Sequence, residues 1–205
     1  MEHCFIAIEG CIGAGKTELA KKLSLQLKTP LLLERFADNS FLPKFYQDPI
    51  HYAFPVELAF LEDRYRQMDD LKRDSFFEQK MVVADYFIDK CLIFAKNNLQ
   101  EDEFKLYSDI FKIITSFLPK PDLILYLHKT PKALLHNIHK RGREYEMNIK
   151  EEYLDCVQKQ YESYFDSYSD SQVIMIDSTN LNFMESEEDF QYIKSLFMKS
   201  GLVLL

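Results

Sequence analysis

The chain has 205 residues, 47% of them apolar and 28% charged, with a formal net charge of −8. That length supports one domain with a substantial core, and the acidic balance argues against a nucleic-acid surface, which needs a basic excess to displace counterions from phosphates. No apolar run approaches the length of a membrane span and no leader pattern stands at the start, so no membrane partner and a cytoplasmic location are expected. Cys4, Cys11, Cys91 and Cys156 show neither metal spacing nor a disulfide framework, which predicts reduced thiols, and the histidines show no zinc spacing.

The first predicted strand, residues 3–9, contains Cys4-Phe5-Ile6-Ala7-Ile8 and runs into Gly10-Cys11-Ile12-Gly13-Ala14-Gly15-Lys16-Thr17. This is the phosphate-binding pattern G-x-x-x-x-G-K-T, followed by a helical stretch over 18–28. Glycines let the backbone curl so that its N–H groups point at an anion. Lys16 is placed to reach the β- and γ-phosphates of a nucleoside triphosphate, and the Thr17 hydroxyl is placed to meet Mg²⁺. Cys11 lies near a helix N-terminus, which favours thiolate, or is simply a small tolerated loop residue.

Further strands are predicted over 30–34, 81–84, 122–128 and 172–177. They are near-continuous apolar runs, as parallel strands covered on both faces require. Between them run helical stripes: Leu58, Leu61, Tyr65, Met68 and Leu71; Leu106, Ile110, Ile113 and Phe117; and Tyr153, Val157, Tyr161 and Tyr164. Pro119 and Pro121 end the second stripe and admit the fourth strand. The alternation predicts an α/β fold with a doubly wound, five-stranded parallel sheet flanked by helices. Ligands of such sheets sit beyond the carboxyl ends of the strands. Glu34, Asp85 and the phosphate loop all follow strand ends, so all three are expected at one rim.

Each of these residues carries two readings. Glu34 either takes the proton of an attacking hydroxyl or pairs with Arg35. Asp85 either anchors Mg²⁺ beside Thr17 or caps a helix running from Phe87. Glu57 and Arg64, seven apart on a helix, share a face about 10 Å apart; they contact a ligand along that face or belong to a solvated face with Glu62, Asp63 and Arg66. Arg141 and Arg143 flank Gly142 on a connection next to Lys140, a basic segment suited to closing over transferring phosphates. The segment from Phe41 to Phe60 is aromatic enough to pack a planar base.

With these residues together, the sequence resembles the deoxynucleoside kinases, a P-loop family that includes deoxycytidine, deoxyguanosine and bacterial deoxyadenosine kinases. The resemblance rests on Glu34, the turn Tyr46-Gln47-Asp48-Pro49, Glu57, Arg64, Phe94-Ala95, Pro121-Asp122, and Arg141-Gly142-Arg143 with Glu146, in order and spacing. It implies a P-loop kinase fold in a single domain over 1–205, with an arginine lid near 141–149, and a homodimer formed through the long amphipathic helices. It also implies ATP and Mg²⁺. Glu34 then lies near the substrate 5′-hydroxyl, Tyr46 and Glu146 hold the 3′-hydroxyl, Arg141 and Arg143 cover the phosphates, and Arg64 supports a base site where Glu57 replaces the family's usual glutamine. The chain departs from the family after the third strand. The run Asp85-Tyr86-Phe87 has Tyr86 where the family has arginine, and Lys90 stands for an expected aspartate, so Tyr86 and Lys90 are read as altered acceptor-site residues. An ionised Glu57 only accepts hydrogen bonds, which favours a purine, guanine first. The expectation is ATP-dependent phosphorylation of a deoxynucleoside 5′-hydroxyl, at Glu34 or Asp85 with Lys16, Arg141 and Arg143. The alternatives are a nucleoside monophosphate kinase of the thymidylate type, or a non-catalytic nucleotide-binding subunit.

Overall fold

The structure, a computed structural model, describes residues 4–35, 39–73 and 81–198. Five strands, β1 (Cys4–Gly10), β2 (Leu31–Leu32), β3 (Met81–Ala84), β4 (Leu123–His128) and β5 (Gln172–Asp177), form one sheet of order β2-β3-β1-β4-β5. Every pairing is parallel; Ile6 sits opposite Val83 on one side and Leu123 on the other. All seven residues of β1 are buried, and β4 is buried except at His128. Both strands are sandwiched between helical layers, and each fully buried aliphatic side chain there stabilises by about 1.5–3 kcal/mol. β5 is one edge of the sheet and β2 the other, and Met175 on β5 is half exposed.

The helices are α1 (Lys16–Leu27), α2 (Leu42–Gln47), α3 (Pro49–Arg73), α4 (Lys90–Asn98), α5 (Glu101–Thr115), α6 (Pro131–Arg141), α7 (Glu151–Asp166) and α8 (Glu187–Met198). From central β1 the chain builds β2 and β3 on one side, then β4 and β5 on the other. The reversal opens a crevice at the carboxyl end of β1, where the phosphate loop lies. The predicted strands are present; the structure departs from the predicted elements at the end of the second strand, on two helical stripes and at α8, and His3 lies outside the described residues.

The second strand stops at Leu32 instead of reaching Glu34. The Leu32 carbonyl still accepts from Asp85 N–H at 3.0 Å. The next carbonyl, of Leu33, is taken by Gln67 Nε2 at 2.8 Å, and Glu34 N–H by Asp85 Oδ1 at 2.7 Å. Side chains replace the ladder and turn the backbone, and with it Glu34, toward the crevice.

The stripe Leu106–Ile113–Phe117 faces outward. Leu106, Ile113 and Phe117 are 55%, 75% and 82% exposed, while Tyr107 and Phe111 on the other face of α5 are buried. This helix has two apolar faces, and the inner one is set by Phe104, Tyr107, Phe111 and Leu118 packed on the α3–α4 cluster. The stripe on α3 buries Leu61 and Met68 but leaves Leu58 at the surface, and the Leu71 side chain lies outside the described residues. α8, not anticipated from the sequence, buries Phe190, Ile193 and Phe197.

Candidate active site

The phosphate loop joins β1 to α1. Gly13 has φ +85°, and a Cβ there would lie 2.7 Å from the Leu134 carbonyl. Gly15 has φ +94° and caps α1, so the first helical N–H groups face the loop. Beneath the loop lies Glu9, fully buried. Its Oε2 accepts from Gly10 N–H at 3.1 Å and from the Tyr161 hydroxyl at 2.8 Å, and its Oε1 accepts from Phe87 N–H at 3.1 Å. Glu9 thus ties the loop to the exit of β3. Burial pushes its pKa up, against the pull of Lys90 and Lys16.

Lys16 Nζ donates to the carbonyls of Gly10 at 2.8 Å and Cys11 at 3.1 Å. Burial, then repulsion from Lys90, lowers its pKa to about 8. Cys11 is wholly buried, and burial pushes its thiol up to about 12, so the thiolate reading of the loop position does not hold.

Asp85 links both halves of the rim. Its Oδ2 accepts from the Thr17 hydroxyl at 2.6 Å and its Oδ1 from Glu34 N–H. It caps no helix from Phe87, since α4 starts at Lys90. Asp85 and Thr17 bring two hard oxygen donors together, a set that suits Mg²⁺.

The Glu34 carboxylate points into the crevice between two cations. Arg64 donates to Oε1 through Nε at 3.0 Å and through Nη2, and Lys90 Nζ donates to Oε2 at 2.8 Å. Burial would raise the Glu34 pKa, but Lys90 and Arg64 outweigh it and hold the carboxyl well below the usual range. Each carboxylate oxygen can accept two bonds, so Oε2 keeps room for one more donor. No Glu34–Arg35 pair is formed among the described residues.

Glu57 and Arg64 are buried, 2% and 3% exposed, rather than part of a solvated face; the solvated face of α3 carries the Glu62–Arg66 pair instead. Glu57 Oε1 accepts from Asn98 Nδ2 at 2.6 Å, and Oε2 has no partner among the described residues. Burial raises the Glu57 pKa to about 7, moderated by the Asn98 hydrogen bond and by Arg64 and Lys90.

On the connection after α6, buried Glu146 accepts from Arg141 Nη2 at one oxygen and from Arg143 Nη1 at 3.1 Å at the other. The three residues close a connection that begins at Gly142, φ +71°. Tyr46 lies alongside, stacked on Tyr145 with ring centroids 6.1 Å apart, and its pKa is raised by burial, Tyr153 and Glu146.

One cavity, with about 110 Å³ of free volume, collects Lys16, Thr17, Glu34, Tyr46, Glu57, Arg64, Lys90, Arg141, Arg143 and Glu146 on its walls. Phe45, Phe60 and Phe94 give it flat apolar surface. Asp85 sits behind Thr17 rather than on the wall. Tyr86 does not line the cavity. It is fully buried against Leu32, Met68 and Val82, and its hydroxyl donates to Gln67 Oε1 at 2.8 Å. At this position side-chain alternation turns the residue away from the crevice while Asp85 faces Thr17. Asn98, Gln67, Glu9 and Tyr153 were not singled out as site or support residues from the sequence. Asn98 stands one helical turn after Phe94 on the same face, which is the only signal that marks it.

The family profile described as deoxynucleoside kinase matches residues 6–200. The chain belongs to the deoxynucleoside kinase family. It is 37% identical over 193 residues to a deoxyguanosine kinase of Bacillus subtilis, covering 92% of this chain and 93% of that protein. It is 32% identical over 202 residues to a deoxyadenosine kinase of Dictyostelium discoideum, covering 95% and 80%. The structure of a deoxyadenosine kinase from M. mycoides with bound dATP superposes with a TM-score of 0.81 at 24% identity, over 96% of this chain and all of that one, which shows the shared fold. In this deoxynucleoside kinase Lys90, the first residue of α4, places a second cation on Glu34 beside Arg64.

Proposed function

We propose that this deoxynucleoside kinase transfers the γ-phosphate of ATP to the 5′-hydroxyl of a purine deoxynucleoside, deoxyguanosine favoured. The observation that carries the reading is that one cavity joins Lys16 and Thr17 of the phosphate loop, Glu34 clamped by Arg64 and Lys90, and Glu57 with an oxygen unpaired among the described residues. ATP enters over the loop amides, with Lys16 and the lid arginines Arg141 and Arg143 on its phosphates. Glu34 accepts a hydrogen bond from the 5′-hydroxyl at the remaining site on Oε2. The 5′-oxygen attacks the γ-phosphorus, the bond to the ADP oxygen breaks, and the proton passes through Glu34 to solvent. A strongly acidic Glu34 suits a loose transition state, in which positioning outweighs proton abstraction. Tyr46 and Glu146 hold the 3′-hydroxyl, Phe45, Phe60 and Phe94 pack the base, and Arg64 and Lys90 fix Glu34.

Thr17 and Asp85 are the residues to hold Mg²⁺, which neutralises phosphate charge when bound. The chain works as a single domain over residues 1–205 with a lid at about 141–149, in the cytoplasm. Among the described residues no helix is long and apolar enough to cross a membrane. The outward stripe Leu106–Ile113–Phe117 is the surface through which two copies pair as a homodimer, since a lone monomer leaves these side chains in water. Assays of ATP with each deoxynucleoside, ribonucleoside and monophosphate test the reading; turnover of monophosphates alone contradicts it.

A further inference from the structure

Glu57 is a carboxylate placed where it is hard to satisfy. It projects from α3 onto the wall of the cavity, 2% exposed. Asn98 on α4 occupies Oε1, and Asn98 is itself held in that orientation, because its Oδ1 accepts from Asn97 Nδ2 at 2.9 Å. Oε2 is buried without a partner among the described residues. A buried polar atom left unpaired costs about 1–3 kcal/mol, so this oxygen is held ready for a ligand atom.

The groups facing Glu57 come from every element around it. On α3 is Arg64; on α4 are Lys90, Cys91 and Asn98; after β2 is Glu34; on α5 is Tyr107, whose hydroxyl donates to the Glu57 backbone carbonyl at 3.2 Å; and on α7 is Tyr153. The two cations are committed elsewhere. Arg64 bonds Glu34 and Cys91 Sγ, and Lys90 bonds Glu34. Neither forms an ion pair with Glu57. Among the described residues the one direct partner of the carboxylate is a neutral amide, which tolerates either protonation state.

A single free oxygen can read one ring position. Guanine and hypoxanthine carry a donor at N1, and adenine carries an acceptor there. We propose that Glu57, positioned by Asn98, reads purine N1 through Oε2 and switches base preference with its own protonation: the carboxylate accepts N1–H of a 6-oxopurine, and the carboxyl donates to N1 of adenine. The 2-amino group of guanine is not required, so deoxyinosine groups with deoxyguanosine. The raised pKa of Glu57, about 7, places the switch near neutral pH. This inference rests on the deoxynucleoside kinase reading of the cavity.

The test is kcat/KM for deoxyguanosine, deoxyinosine and deoxyadenosine with ATP from pH 6 to 8, together with calorimetric binding of each nucleoside to the protein alone. Titrations shared by all three substrates, of Lys16 or of ATP, cancel in the ratio of 6-oxopurine to adenine nucleoside. That ratio rises with pH by up to about tenfold per unit, and deoxyinosine follows deoxyguanosine. Glu57→Gln removes the titration and flattens the ratio. Asn98→Ala removes the donor that stabilises the carboxylate and moves the midpoint of the profile to higher pH. A ratio independent of pH in the unaltered protein, or deoxyinosine behaving like deoxyadenosine, overturns the proposal even while nucleosides are phosphorylated. Failure to phosphorylate any nucleoside at any pH overturns the kinase reading itself and this inference with it.

Discussion

Lys90 Nζ donates to Glu34 Oε2 at 2.8 Å, so the first residue of α4 clamps the carboxylate that leaves β2. The pair is almost fully buried, with side-chain exposures of 6% and 12%. A buried carboxylate between two cations is stable only while both remain.

Replacing Lys90 by methionine leaves Glu34 held from one side. We expect kcat/KM to fall about 10²-fold and stability at neutral pH to fall by up to about 3 kcal/mol. The depressed pKa of Glu34 gives the sign of the pH dependence. Its contribution is present above the ordinary glutamate pKa and is lost as pH falls toward the folded value. The stability gap between native protein and Lys90→Met therefore narrows in acid. Urea melts at pH 7 and pH 3.5 measure it, and a gap that widens in acid contradicts the assignment.

Glu146 accepts from both Arg141 and Arg143, the arginines proposed to form the lid. Arg141→Ala and Glu146→Gln are each expected to lower kcat/KM for the deoxynucleoside more than tenfold. Because each residue spends part of its effect on the other, the double variant should lose less than the sum, with a coupling of about 1 kcal/mol or more. Additive losses in a double-mutant cycle contradict a shared lid.

Cys4, Cys11 and Cys91 are buried and Cys156 is exposed. Burial raises the pKa of the first three thiols, to about 11 for Cys4 and about 12 for Cys11. Brief treatment of the native protein with iodoacetamide should label Cys156 alone, as peptide mass spectrometry reads. Rapid labelling of Cys11 contradicts the buried loop thiol.

Phe117 is 82% exposed at the end of the outer α5 stripe. Phe117→Asp should leave the melting temperature within a few degrees when measured on monomer, and convert a dimer to monomer in sedimentation velocity. An unaltered protein that sediments as a monomer, or a Phe117→Asp protein that stays dimeric, contradicts the α5 interface.

The sheet was legible because each strand is an apolar run long enough to need cover on both faces, and the phosphate loop because its glycines and Gly-Lys-Thr ending leave few other conformations. Local patterns failed where tertiary bonds decide the outcome. Strand β2 ends early because Gln67 and Asp85 capture its backbone. Helix α5 carries two apolar faces, and periodicity cannot say which one meets the core. Spacing alone left Glu57 and Arg64 either on a ligand or on a solvated face, because their burial depends on Glu34 and Asn98, far away in sequence. Tyr86 was expected at the acceptor because it stands where the family has arginine, yet adjacent residues leaving a strand point to opposite sides. Lys90, by contrast, was placed at the site through the family spacing, while its bond to Glu34 emerged only from the fold.

The most direct measurement is product analysis by ³¹P nuclear magnetic resonance after incubation with Mg²⁺, ATP and deoxyguanosine, with Lys16→Ala as control. The account predicts ADP and deoxyguanosine 5′-monophosphate from the native protein, and at least a 10²-fold slower reaction from the Lys16→Ala protein. Phosphorylation of the monophosphate but not of the nucleoside, or full activity without Lys16, contradicts it.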